Sequence, residues 1–116
     1  MQDDLKMSVI DYQYFSQIEI RVGLVIKAAA PDWSKKLLLL KVDFGPELGE
    51  RTILAGIQKW YRPDDLLNRK FPFVANLAER KMGPAVSQGM MLMADGKEKP
   101  CLLALDQDLT PGSRLR

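Results

Sequence analysis

From Ile18 onward the chain alternates short apolar runs with brief polar breaks. Ile18, Ile20 and Val22 alternate with Glu19 and Arg21, the period-two pattern of a strand with one buried face. Gly23 interrupts this run before Leu24, Val25 and Ile26 resume it, and a glycine inside a strand marks a bulge or a sharp bend. One long, strongly bent first strand over 18–30 is therefore expected, of the kind that coiled barrels need. Residues 31–36 (PDWSKK) read as a turn and 37–45 (LLLLKVDFG) as a second strand. GPELGE, 45–50, reads as a hairpin connection and 51–56 (RTILAG) as a third strand.

The pattern then changes. Pro63 followed by Asp64 and Asp65 is a helix first turn, with proline tolerated at the start and acids favoured at the positive end. Leu66 and Leu67 supply its buried side and Asn68 ends it. Residues 71–78 (FPFVANLA) and 87–94 (SQGMMLMA) read as strands four and five. Asp95-Gly96 signals a tight turn, 101–105 a sixth short strand, and 106–112 a turn before the tail SRLR. Upstream, Ile10, Tyr14 and Gln17 share helical spacing, so a short helix over 9–17 leads into the domain. No repeat or linker divides the chain. The expected organisation is one all-β domain: an N-terminal extension (1–17), a barrel (18–94) and a C-terminal extension (95–116). Its order, three strands, one short helix, then two strands, is that of a five-stranded OB-fold barrel.

Composition narrows the chemistry. At 116 residues, 47% of them hydrophobic and 28% charged, the chain suits one globular core. Seventeen Lys and Arg against 15 Asp and Glu leave a net charge of +2, so any electrostatic role depends on where the charges sit. Histidine is absent, which excludes Ser–His–Asp and Cys–His catalysis. The single cysteine, Cys101, between Pro100 and Leu102, reads as an apolar filler in a reducing compartment. The carboxylate pairs Asp3–Asp4 and Asp64–Asp65 look like a chain terminus and a helix start. Neither GxxxxGK[ST] nor GxGxxG occurs. No enzyme activity, cofactor or metal is expected. No apolar run approaches the roughly 20 residues of a membrane span, residues 1–17 lack a secretory apolar core, and a cytoplasmic protein is expected.

The candidate chemistry lies in two loops. Between Asn76 and Met93 (NLAERKMGPAVSQGMMLM) a basic, then glycine- and proline-broken connector joins two apolar runs. Arg80 and Lys81 fall at its tip, and Ser87 and Gln88 where the chain re-enters the sheet. The first loop carries a second basic pair, Lys35 and Lys36. In an OB-fold these are two of the loops that bind oligonucleotides, and cations there would neutralise phosphates.

At this level of detail the sequence resembles the tRNA-binding domain found at the C-terminus of methionyl-tRNA synthetases and as free-standing structure-specific tRNA-binding proteins. The matching segments are IEIRVGLVIKA, PDWSKKLLLLKVDFG, ERTILAGIQKWYRPDDLLNRK, FVANLAERKMGPAVSQGM and LTPGSRL, in order from Ile18 to Leu115. The resemblance implies tRNA recognition by shape, without aminoacylation, commonly by a homodimer, with an aminoacyl-tRNA synthetase as a further partner left open. It assigns tRNA contact to Lys36, Asn76, Arg80, Lys81, Ser87 and Met90, to which their neighbours Lys35 and Gln88 are added. Asn76 reads equally as a side chain closing a backbone turn, and Met90 equally as barrel core. Three features depart from the family pattern: Ala30 precedes Pro31, Trp33 sits in the first loop to stack on a base or cover the rim, and Gly83-Pro84 stiffens the second. The last resembles an export-chaperone-like branch that binds peptides, whereas the LTPGSRL tail resembles the synthetase-like branch. A dimerisation module is a third reading, since Tyr12, Tyr14, Phe15, Leu103, Leu105 and Leu109 exceed what a small barrel must cover.

Overall fold

The computed structural model describes residues 7–116; Asp3 and Asp4 lie outside them. A one-turn helix, α1 (Tyr12–Phe15), leads into β1 (Ile20–Ala29). Then follow β2 (Leu38–Asp43), a one-turn helix α2 (Gly45–Leu48), β3 (Glu50–Ala55), a 3₁₀ turn (Pro63–Asp65) and β4 (Lys70–Val74). β5 (Arg80–Met82), β6 (Ala85–Ser87), β7 (Met90–Met91), β8 (Met93–Asp95), β9 (Pro100–Leu102) and β10 (Arg114–Leu115) complete the chain. The main sheet runs β3-β2-β1-β4-β7, with β10 also on β1.

β1 is bent because its two halves pair with different strands. Residues 20–24 pair with β4 and residues 24–29 with β2. The register shifts between Val25 and Lys27, not at Gly23 as the sequence pattern suggested. At that point Val25 turns to the 68–69 segment, donating to Arg69 O and accepting from Asn68 N–H. Gly23 has a different reason. A Cβ there would lie 2.4 Å from Val42 Cγ1 and 2.7 Å from the Phe73 ring, so the crowded interior admits no side chain.

The core follows the alternation of β2, whose Leu38, Leu40 and Val42 are fully buried beside Val25, Ile53, Leu66, Phe71 and Phe73. Phe44 meets Phe73 edge-on at 5.4 Å between centroids, a favoured aromatic geometry. GPELGE makes the helical turn α2 in place of a simple hairpin. The helix after strand three is a single 3₁₀ turn, in which Asp65 Oδ2 accepts the Arg62 N–H. Strand four stops at Val74. Strand five divides into β7 and β8 around Leu92, and β8 pairs with β9 as a separate ribbon.

The barrel closes by an unusual seam. β3 offers its free edge to residues 87–88, and side chains complete the ladder there. Ser87 Oγ accepts the Leu54 N–H at 3.0 Å, Gln88 Oε1 accepts the Thr52 N–H at 2.9 Å, and the Gln88 N–H donates to Thr52 O. The C-terminal tail is woven in as well, since Val22 exchanges backbone hydrogen bonds with Ser113 and Gly112.

Candidate nucleic-acid interface

The first loop is ordered by its own polar residues. Ser34 Oγ accepts the N–H groups of Lys36 and Leu37, both at 3.1 Å, a serine turn of the sort that competes with regular structure. The Gln58 amide donates to Ser34 O and Leu37 O, pinning the loop to the chain after β3. Lys35 and Lys36 are left exposed on a fixed backbone.

The second loop contains a hairpin that the sequence pattern did not reveal. β5 and β6 pair Arg80 with Ser87, Lys81 with Val86 and Met82 with Ala85. Gly83 turns the chain at φ +60°, a left-handed conformation suited to glycine. Arg80 and Lys81 project from β5 and are exposed.

Trp33 joins the two loops. Its indole packs against Gly83 so closely that a Cβ there would sit 2.6 Å from Cζ3 and 2.7 Å from Cε3. The first loop and the hairpin therefore meet at the Trp33–Gly83 contact, while Arg80 and Lys81, consecutive in β5, project to opposite faces of the hairpin, Arg80 on the same face as Met82. The ion pairs among the described residues engage Arg21 and Arg114 with Glu19 and Glu47. They leave Lys35, Lys36, Arg80 and Lys81 facing solvent. Trp33 packs on Gly83 and is 40% exposed, so it covers part of the rim and keeps ring surface free for a base.

The remaining candidate residues divide. Ser87 is 4% exposed, and its hydroxyl also donates to Gly89 O, so both of its strong bonds serve the barrel seam. Gln88 spends its carbonyl on Thr52 and directs its amide to Glu79 at 3.3 Å. Asn76 closes a turn: Oδ1 accepts the Glu19 N–H at 2.9 Å and Nδ2 donates to Gln17 O at 2.6 Å. Met90 is not core. It is 47% exposed, while its neighbour Met91 is buried. With Leu77, Arg80 and Met82 it lines a groove of about 190 Å³ beneath the hairpin. The sequence reading missed Gln58, Leu77 and Met82; the one signal pointing to the loop contact was a glycine beside proline opposite a tryptophan-bearing loop.

Among the described residues no three His, Cys, Asp or Glu side chains gather as a metal group, and no helix is long and apolar enough to cross a membrane. The family model described as "Putative tRNA binding domain" matches residues 20–114. The chain belongs to the tRNA-binding domain family. Its relatives in that family include the methionine–tRNA ligase of Pyrococcus furiosus, 40% identical over 111 residues, and that of Methanocaldococcus jannaschii, 41% identical over 112. These alignments take in 96% of this chain but 15% and 17% of those proteins, so it spans about one sixth of the curated relatives it matches. Among solved structures, a MetRS related protein from Pyrococcus horikoshii superposes with a TM-score of 0.89 at 37% identity, covering 95% of this chain and all of that one. The CsaA chaperone protein from Picrophilus torridus superposes at 0.85 with 29% identity, covering 93% and 100%.

Proposed function

We propose that this chain is a non-catalytic domain that binds folded tRNA by shape, free-standing or auxiliary to methionyl-tRNA synthetase, in the cytoplasm. The observation that carries the reading is the packing of Trp33 on Gly83, which joins the loop bearing Lys35 and Lys36 to the hairpin bearing Arg80 and Lys81. Cations held by rigid loops can grip a polyanion without reading its bases. Met90 and Met82 offer apolar surface to a ribose or an unstacked base beside them. Ser87, Gln88 and Asn76 serve this reading by holding the barrel and its entry strand, not by touching RNA.

The test is a titration of several tRNA species at 50 and 200 mM salt. Four neutralised phosphates give a slope of log K on log salt of about −3, and hence a loss of roughly 60-fold between those concentrations. The Arg80→Ala/Lys81→Ala variant should bind every species more weakly and lose about half of that slope. A loss confined to one tRNA would contradict recognition by shape.

A peptide-binding chaperone is the second reading. It is favoured by the apolar groove of Leu54, Leu77, Met82 and Met90 and by the likeness to the Picrophilus chaperone. It predicts suppressed aggregation of unfolded clients that tRNA does not compete away. A homodimer accompanies either reading. Val9, Tyr12 and Tyr14 are 96%, 72% and 62% exposed, an apolar surface suited to a second copy. A monomer by light scattering at micromolar concentration would remove that element.

A further inference from the structure

On the other flank of the first loop lies a groove that phosphate gripping by the hairpin does not use. Antiparallel pairing of β2 and β3, with Leu38 opposite Ala55, sets residues 35–37 beside residues 56–60. Gln58 fixes the junction through its backbone N–H to Lys36 O at 3.1 Å and its amide to Ser34 O and Leu37 O. The resulting groove, about 550 Å³, is lined by Lys35, Lys36, Leu37, Gly56, Lys59 and Trp60. Trp60 is 38% exposed, and Lys59 Nζ lies 5.4 Å from its ring centroid. Gly56 leaves the wall open, since a Cβ there would meet nothing within 4 Å.

We propose that this groove is a nucleotide-stacking subsite, in which the Trp60 indole takes one unstacked RNA base and Lys35, Lys36 and Lys59 take the flanking phosphates. The inference rests on the tRNA-binding reading and specifies what the single-stranded parts of that RNA touch. An aromatic face set among cations is the combination that binds single-stranded nucleic acid, and it tolerates any base because every base has a π-face. The two tryptophans are similarly exposed, Trp33 at 40% and Trp60 at 38%, but Trp33 packs on Gly83 whereas Trp60 lines the groove. The ammonium of Lys59 over the ring is an exposed cation–π contact, weak enough to yield to a base, and its long stem reaches a phosphate instead. Because Lys35 and Lys36 belong to both surfaces, the subsite continues the phosphate-gripping face around the first loop.

The test uses the full chain and two fluorescein-labelled probes, an oligoadenylate octamer and an abasic octamer of equal charge, read by anisotropy alongside a folded tRNA. The wild type should prefer the adenylate octamer by about 5- to 100-fold. Trp60→Ala should abolish that preference and leave the abasic affinity unchanged. Gly56→Leu should do the same by filling the groove, in a backbone position that accepts a side chain without strain. A preference that survives both substitutions, or none in the wild type, overturns the proposal. If tRNA still binds in that case, the tRNA reading stands without the subsite. Wild-type protein that ignores folded tRNA yet keeps a Trp60-dependent preference for the adenylate octamer overturns the tRNA reading and upholds the stacking site.

Discussion

Replacing Ser87 with alanine separates a structural hydroxyl from a ligand-binding one. The side chain is 4% exposed and makes two bonds, accepting from Leu54 N–H at 3.0 Å and donating to Gly89 O at 3.0 Å. Ser87→Ala leaves the buried Leu54 N–H and the part-buried Gly89 carbonyl without these partners, where the seam borders the groove beneath the hairpin. Each such group costs about 1–3 kcal/mol, and the carbonyl, with its second lone pair, sits at the low end. A total of about 2–4 kcal/mol is a large part of the 5–15 kcal/mol that holds a domain of this size together. At about 3–5 °C per kcal/mol, the melting temperature should fall by roughly 6–20 °C in a calorimetric scan. Well below the transition, tRNA affinity should match the wild type. A melting temperature within about 2 °C of the wild type, or weaker tRNA binding at unchanged stability, would refute this reasoning and return the hydroxyl to the ligand.

Asn76→Ala removes bonds to Glu19 N–H and Gln17 O at an exposed strand end, where water replaces them. Stability should drop by about 1 kcal/mol, seen as a lower urea midpoint at constant m-value, with tRNA affinity unchanged. Weaker tRNA binding at an unchanged midpoint would show that Asn76 touches RNA. Glu19 gives a pH dependence. Hydrogen bonding from Arg21 leads in holding its carboxyl below the usual carboxylate range; desolvation, the next largest effect, opposes it, and the charges of Arg114, Arg21 and Arg116 add smaller lowering contributions. A depressed folded-state pKa means a contribution fully present above the ordinary value of about 4.3 and lost as pH falls through the folded one. Urea midpoints should therefore decline below about pH 4, more steeply for the wild type than for Glu19→Gln; parallel declines would contradict this.

The barrel could be read from local patterns because its signals are local. The alternation of Leu38, Leu40 and Val42 marks one buried face, and Pro63-Asp64-Asp65 marks a helical start, and both hold in the structure. The bend in β1 was misplaced because Gly23 looks like a break, while its small size answers to Val42 and Phe73, residues distant in sequence. The β5–β6 hairpin was missed since three-residue strands carry too few positions to show a period. The basic pairs were visible as charge. What Ser87 and Gln88 do was not, because a hydroxyl and an amide at the end of a loop look the same whether they meet a ligand or the edge of β3. Only the closed barrel brings Thr52 and Leu54 to them. Trp33 is similar: its partner is a glycine 50 residues away, with no side chain to announce the contact.

The claim on which the functional reading rests is that the first loop and the hairpin act as one surface because Trp33 holds them together. Trp33→Ala keeps Lys35, Lys36, Arg80 and Lys81 but frees the loops from each other. Ordering the two basic side chains of one freed loop on binding then costs about 0.5–1.5 kcal/mol each, so tRNA affinity at 50 mM salt should fall by about 5- to 150-fold with the barrel still folded by circular dichroism. Wild-type affinity in that folded variant would show that the two loops do not grip RNA as a unit.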